Sequence, residues 1–291
     1  MITMNNIYFT YKKTCVILMI RLTVLRIEKG LEEMAEWNAD LYNRFGKERM
    51  QPAIDLVNRI DKQAKINRIL DVGCGTGMST RPLFERWAKA EIIGIDNSES
   101  MLKKAREWNK DIQWVIKDCN NSLEDLGKFD LIFSNAALQW MDNQGAVIKN
   151  LTNLLTQRGI LAIQIPSFQH MIINDCIQKA VYKFGIGRFG GFQQETCICH
   201  DIEFYYNQLK DGLEEIQLWQ TNYYHIMNSH IEILEFIRST GLKPYLDMLD
   251  EEDSKDFLEY VISEVKLQYG VQDDGKILFE FKRLFFIGVK A

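Results

Sequence analysis

The densest group of functional residue types is the run Ile69-Leu70-Asp71-Val72-Gly73-Cys74-Gly75-Thr76-Gly77. An apolar, strand-like segment there meets three closely spaced glycines, and a helical pattern follows. Glycine permits backbone torsions closed to other residues and lets a ligand approach the main chain. The amino end of the next helix offers free N–H groups and a positive dipole, which suit a phosphate or an amino-acid carboxylate. The spacing bears on that choice. A dinucleotide fingerprint reads G-x-G-x-x-G. Here Met78 stands at the third glycine's place, and the glycine falls one position early at Gly77.

A second candidate is Asp96, in Gly94-Ile95-Asp96-Asn97-Ser98, 25 residues after Asp71. A carboxylate at that strand end can accept hydrogen bonds from both hydroxyls of a ribose. The alternative role, capping the following helix, suits Ser98 better. Further along stand Asp118-Cys119 and the block Asn135-Ala136-Ala137-Leu138-Gln139-Trp140. No Ser–His–Asp or Cys–His nucleophilic arrangement is legible. Cys197-x-Cys199-His200 holds metal-ligand types, but no second pair follows at zinc spacing, so a plain loop and no metal are expected.

These residues need a scaffold, and the hydrophobic pattern supplies one. Apolar runs at Arg68–Val72, Glu91–Ile95, Ile112–Ile116, Phe129–Phe133 and Ile160–Ile165 alternate with helically spaced segments such as Met101, Leu102, Ala105 and Trp108. Near-continuous apolar strands separated by helices imply a mostly parallel sheet covered on both faces. The fold class is therefore α/β, a doubly wound, Rossmann-like sheet that presents ligands at the carboxyl ends of its strands. Before it, Trp37–Ile60 reads as one or two helices, with Pro52 where a helix could begin. After it, Met171–Phe184 reads as helix and Gly185, Gly187, Gly190 and Gly191 as a flexible loop. Ile216–Met227 has strand character, and Ile231–Tyr269 is helical with a break at Gly241 and Pro244. Lys276–Val289 reads as a long final strand, antiparallel to the others.

The bulk numbers agree with one elaborated domain. The 291 residues are 46% hydrophobic and 26% charged, with a formal net charge of -5, which argues against a fold-wide basic face for nucleic acid. The six cysteines lack a secreted spacing pattern, so a reducing, cytoplasmic location is expected. Residues 1–33 differ in pattern. The run Val16–Ile20 is too short to span a bilayer, and no signal-peptide cleavage pattern follows. We expect this stretch to be a disordered or non-native extension, with Met34 as the start of the domain. The cofactor-binding core is expected over about 64–166, and a substrate cap and lid from 34–63, 167–212 and 228–274.

The D-x-G-x-G-x-G spacing, with the strand-end residues after it, resembles the class I S-adenosylmethionine-dependent methyltransferases, whose sheet has seven strands with N-terminal helices and a helical cap. The resemblance implies S-adenosyl-L-methionine as cofactor, held by Asp71, Gly73, Gly75, Gly77, Asp96, Asn97, Met101, Asp118, Cys119 and Asn135. In that family Asp118 would accept the adenine amino group. The Asn135 carbonyl would hold the cofactor's ammonium, and Gln139 and Trp140 would face the transferring methyl.

From Met34 onward the chain is similar, more narrowly, to the trans-aconitate 2-methyltransferase family of small-molecule carboxyl methyltransferases. Glu36–Tyr42, Trp219–His225, Ser239–Pro244 and Gly275–Leu278 with Lys282–Phe285 carry this likeness. It implies transfer of a methyl group to a carboxylate of a small polycarboxylic acid such as trans-aconitate. The acceptor is already ionised at neutral pH, with a reference pKa near 4, so no general base is required. Trp37, Tyr42, Trp140 and Tyr224 are candidate walls, and Arg49, His225 and Arg283 candidate holders of the non-reacting carboxylates. A monomer or weak dimer without nucleic-acid or membrane partners is expected. The malonyl-carrier-protein methyltransferases of biotin synthesis share the cofactor half and are the main alternative, ahead of action on another small molecule.

Overall fold

The computed structural model describes residues 45–189 and 197–291. Trp37, Tyr42 and the 1–33 stretch lie outside them. The chain divides into two units.

The larger unit, residues 45–175, 197–225 and 279–291 among those described, is built on a seven-stranded sheet in the order β3-β2-β1-β4-β5-β7-β6. The strands are β1 (Arg68–Val72), β2 (Glu91–Asp96), β3 (Gln113–Ile116), β4 (Phe129–Asn135), β5 (Leu155–Pro166), β6 (Leu213–Met227) and β7 (Ile277–Lys290). Strands β3, β2, β1, β4 and β5 pair in parallel, and β7 pairs antiparallel to β5. Sequence order reverses between β1 and β4, so a crevice opens there at the carboxyl ends of the strands.

The alternation of side chains explains the two covered faces. Leu70, Val72, Ile132, Leu161 and Ile163 enter one buried cluster. Their neighbours Ile69, Leu131, Phe133, Ile160 and Ala162 enter the other. Helix α1 (Gly46–Arg59) packs Ala53, Leu56 and Val57 into the second cluster and so covers one face of the sheet. It also begins six residues before Pro52, which sits buried inside the helix; the apolar ring serves there as packing, and Pro52 does not mark the start. Ser98 caps the helix after β2 (α3, Glu99–Trp108; α2 is Arg81–Arg86), accepting from Met101 N–H at 3.4 Å.

The smaller unit, residues 176–189 and 226–278 among those described, is mainly helical. Helices His230–Ile237 and Glu251–Gln268 are joined through a π-turn at Arg238–Leu242 and a short helix, Lys243–Leu246, which is the break expected at Gly241 and Pro244. Its core is aromatic: Phe257 lies against Phe184, Phe189 and Tyr245 with centroids 5.6, 5.7 and 6.1 Å away. Lys179–Glu264 and Arg188–Asp253 bridge its surface at 2.8 and 2.6 Å.

Candidate active site

At the end of β1 the chain turns over Gly73, whose φ is +71°. Its N–H and that of Cys74 both donate to Ile95 O, at 2.8 and 3.0 Å. A Cβ at Gly73 would overlap that of Ala137. Gly75 also has a positive φ, +54°, but a Cβ there would meet nothing within 4 Å. One glycine is needed for close approach of protein to protein, and the other faces open space in which a ligand can touch the backbone. Gly77 N–H closes the turn on Cys74 O at 2.9 Å, and its bare face abuts Trp108 and Trp114.

Asp71 lies behind this loop, fully buried, and accepts from Thr80 Oγ1 at 2.6 Å. Burial pushes its carboxyl up to about 7, against the lowering effect of Thr80 and with a further rise from Asp96. Its position makes it a brace between β1 and the helix after the loop, without surface for a ligand.

Asp96 ends β2 in the crevice. Its Oδ2 accepts from Gly75 N–H at 3.0 Å and its Oδ1 from Ser98 N–H at 2.9 Å. Two backbone donors thus hold the carboxylate rigid, and each oxygen keeps a further lone pair for a second donor. Asn97 is exposed beside it, and Met101 stands exposed on the first turn of α3. After β3, Asp118 is half-buried and folds its own loop, taking the Asn120 N–H and Nδ2 at 2.9 and 3.0 Å. Cys119 packs its sulfur 3.6 Å from Met141 Sδ, and burial raises its thiol to about 11.

Strand β4 ends at Asn135, and Ala136 takes a φ of +55°, which turns the following 3₁₀ helix (Leu138–Trp140) over the crevice. Gln139 is buried and donates from Nε2 to Ala136 O at 2.6 Å. Trp140 is 44% exposed and presents its ring to solvent as a wall would. The cofactor candidates therefore gather at the ends of four adjacent parallel strands.

The charged candidates come together from distant parts of the sequence. Arg283 on β7 is 5% exposed and donates from Nη1 to Gln164 Oε1 at 3.1 Å. It also lies over the Phe281 ring, 4.7 Å from the centroid. Burial lowers its guanidinium to about 10, helped by the positive charge of Arg49 and opposed by Tyr223 and Cys197. His225 is buried beside Phe279 and Phe281. Burial first, then Arg283 and Arg49, lower it to about 4. It is therefore neutral at physiological pH and is corrected from a candidate cation to a neutral hydrogen-bonding group.

Tyr224 differs from its expected role as a wall. Alternation along β6 puts Tyr223 and His225 on one face and Tyr224 on the other, where it is 59% exposed and reaches Glu280 Oε1 at 3.3 Å. Tyr223 takes the inward place: its hydroxyl donates to Asp55 Oδ2 at 2.6 Å, and burial, then that bond, raise its pKa well above the usual phenol value. Tyr223 and Gln164 were missed on sequence grounds, although strand parity pointed to the first and an amide inside an apolar strand to the second. Cys197, with a φ of +69°, and Cys199 are buried in a loop, where Cys199 N–H donates to Gln169 Oε1 at 2.8 Å.

This strand order, with a glycine loop at the β1 end and an acidic residue at the β2 end, defines the class I methyltransferase architecture. Phosphoethanolamine N-methyltransferase 2 from Haemonchus contortus, solved with S-adenosyl-L-methionine, superposes with a TM-score of 0.52 at 18% identity, over 83% of this chain and 52% of that one. The family model described as a methyltransferase domain matches residues 64–230. A trans-aconitate 2-methyltransferase from Enterobacter sp. (strain 638) is 35% identical over 260 residues, 87% of this chain and 98% of that protein. The protein of the same name from Escherichia coli O157:H7 is also 35% identical, over 259 residues with the same coverage. The chain belongs to the class I S-adenosylmethionine-dependent methyltransferases, in the branch that holds these two relatives.

Its cofactor is S-adenosylmethionine, and the site's geometry fits that group. The open face of Gly75 accommodates a close ligand, and the fixed Asp96 carboxylate suits a ribose. Among the described residues no helix is long and apolar enough to cross a membrane.

Proposed function

We propose that the chain methylates a carboxylate oxygen of a small polycarboxylic acid, with trans-aconitate as the leading candidate, in the cytoplasm. The observation that carries this reading is the buried Arg283, with the charge of Arg49 acting on it and no carboxylate among the described residues in ion-pair reach. A protein that keeps the Arg283 guanidinium out of water without a resident anion is suited to a ligand that brings one. The names of the two relatives supply the particular acid.

In this reading Asp96, with the Gly73–Gly77 loop and Asp118, holds the cofactor, and Asp71 braces the loop from behind. The cofactor supplies an electrophilic methyl group on a sulfonium. Asn135, Gln139 and Trp140 border the place where that methyl meets the acceptor. Arg283 and Arg49 hold the carboxylates that do not react, with His225 and Tyr223 as neutral neighbours. Tight pairing of the attacking carboxylate would stabilise the ground state and slow the reaction, so the arginines act at a distance from it. Alignment in a site closed to water supplies the rate, an effect worth roughly 7–11 kcal/mol in well-oriented systems.

The test is a methyl-transfer assay with labelled S-adenosylmethionine against a panel of mono-, di- and tricarboxylic acids and malonyl carrier protein. Turnover confined to the free polycarboxylates is expected. Turnover on the carrier protein alone would replace this reading with the other.

A further inference from the structure

Gln164 stands near the end of β5 with its side chain fully buried. It is in register with Asn135 on β4 and Phe285 on β7, and its backbone carbonyl accepts from Ala136 N–H at 3.0 Å. It thereby joins the strand end assigned above to the cofactor with the strand that carries Arg283. The orientation of its carboxamide follows from chemistry. A guanidinium only donates, so the oxygen of Gln164 must face Arg283, and the NH2 group must face elsewhere. That Nε2 is buried and meets no acceptor among the described residues, and Arg283 Nε is in the same condition. Buried donors in folded proteins nearly always have an acceptor. Here two of them, on adjacent strands, await one.

We infer that Gln164 is a further substrate-contacting residue. Its Nε2–H donates to an oxygen of a substrate carboxylate, while its Oε1 orients the Arg283 guanidinium toward the same group. This rests on the polycarboxylate reading given above. Both unmet groups are donors, so the ligand must present acceptor atoms there, and a carboxylate offers oxygens to both at once. An amide beside a guanidinium also gives shape discrimination that charge alone lacks: it fixes which carboxylate of a polycarboxylic acid is held and therefore which is left to react.

Gln164→Glu tests this, because it keeps the side chain's size and an acceptor toward Arg283 but replaces the donor with a charged acceptor. Calorimetry on the protein saturated with S-adenosylhomocysteine should show trans-aconitate affinity falling at least about 30-fold. KM for the acid should rise in step, with S-adenosylhomocysteine affinity within about twofold of wild type as the check on the fold. Gln164→Leu, which removes the unmet NH2 without adding charge but also takes away the acceptor of Arg283 Nη1, should lose acid affinity as well, with a melting temperature a few degrees below wild type. Acid binding within about threefold of wild type in either folded variant would overturn the inference alone. Wild-type protein that neither binds nor methylates any acid of the panel would overturn the polycarboxylate reading, and the role of Gln164 with it.

Discussion

Replacing Arg283 with Met separates a functional arginine from a structural one by the sign of its effect on stability. The side chain is buried, and its guanidinium is lowered from 12.5 to about 10. A drop of that size puts the charged form about 3 kcal/mol above its level in water. Met keeps most of the apolar stem and removes the charge. The bond to Gln164 and the contact with Phe281 are lost, which costs about 2 kcal/mol. The ligand-free protein should therefore be stabilised by about 1 kcal/mol, read as a rise of a few degrees in melting temperature. Activity should move the other way. Losing a desolvated charge contact should lower kcat/KM for a tricarboxylate by about 2–4 kcal/mol, roughly 30- to 900-fold. A monocarboxylate analogue, which never used the contact, should lose much less. If Arg283→Met destabilised the ligand-free protein by more than about 2 kcal/mol and reduced turnover of both acids equally, the arginine would be structural and the reasoning wrong.

Asp96→Ala should weaken S-adenosylmethionine binding at least about tenfold by calorimetry, because each charge-assisted bond is worth about 1.5–3 kcal/mol; unchanged affinity would remove Asp96 from the cofactor site. His225 titrates at about 4 in the fold and at 6.5 in the unfolded chain, so between those values the unfolded state binds the extra proton and stability rises with pH. His225→Gln should cancel a rise of about 3 kcal/mol between pH 4 and 7 in urea unfolding, and parallel curves for the two proteins would contradict the depressed value. Gly73→Ala places a methyl on Ala137 at a positive φ and should lower stability by about 2 kcal/mol or more; a melting temperature within a degree of wild type would show that the loop can shift. A chain beginning at Met34 should match the full chain in melting temperature and turnover, and loss of either would make residues 1–33 a working element.

The cofactor half was legible because its signals are local. Gly73 and Gly75 stand where the turn needs positive φ, Ser98 stands where a helix needs a cap, and the apolar runs stop where the strands stop. The acceptor half depends on residues far apart in the chain, and there the sequence was read less well. Nothing near His225 in the sequence shows that burial, with the charges of Arg283 and Arg49 added to it, keeps the ring neutral. Tyr224 was chosen over Tyr223 by motif, although the alternation through buried His225 and Met227 already placed Tyr223 inward. Pro52 was read as a helix start because proline favours first turns; the buried face of Ala53, Leu56 and Val57 outweighed that preference. Gln164 carries no motif, and its meaning arises only from the strand laid beside it.

The two halves of the site differ in how they are inherited. Every group assigned to the methyl donor comes from one uninterrupted stretch, Asp71 to Trp140, whereas the cations proposed for the acceptor stand at Arg49 and, more than 200 residues later, Arg283. On the proposed reading, substitutions on α1, β5, β6 and β7 should therefore retune which acid is accepted and leave the donor half untouched. Divergence within this branch should concentrate on those four elements, so that a descendant exchanging only Arg283 and its neighbours would remain a methyltransferase and acquire a new acceptor.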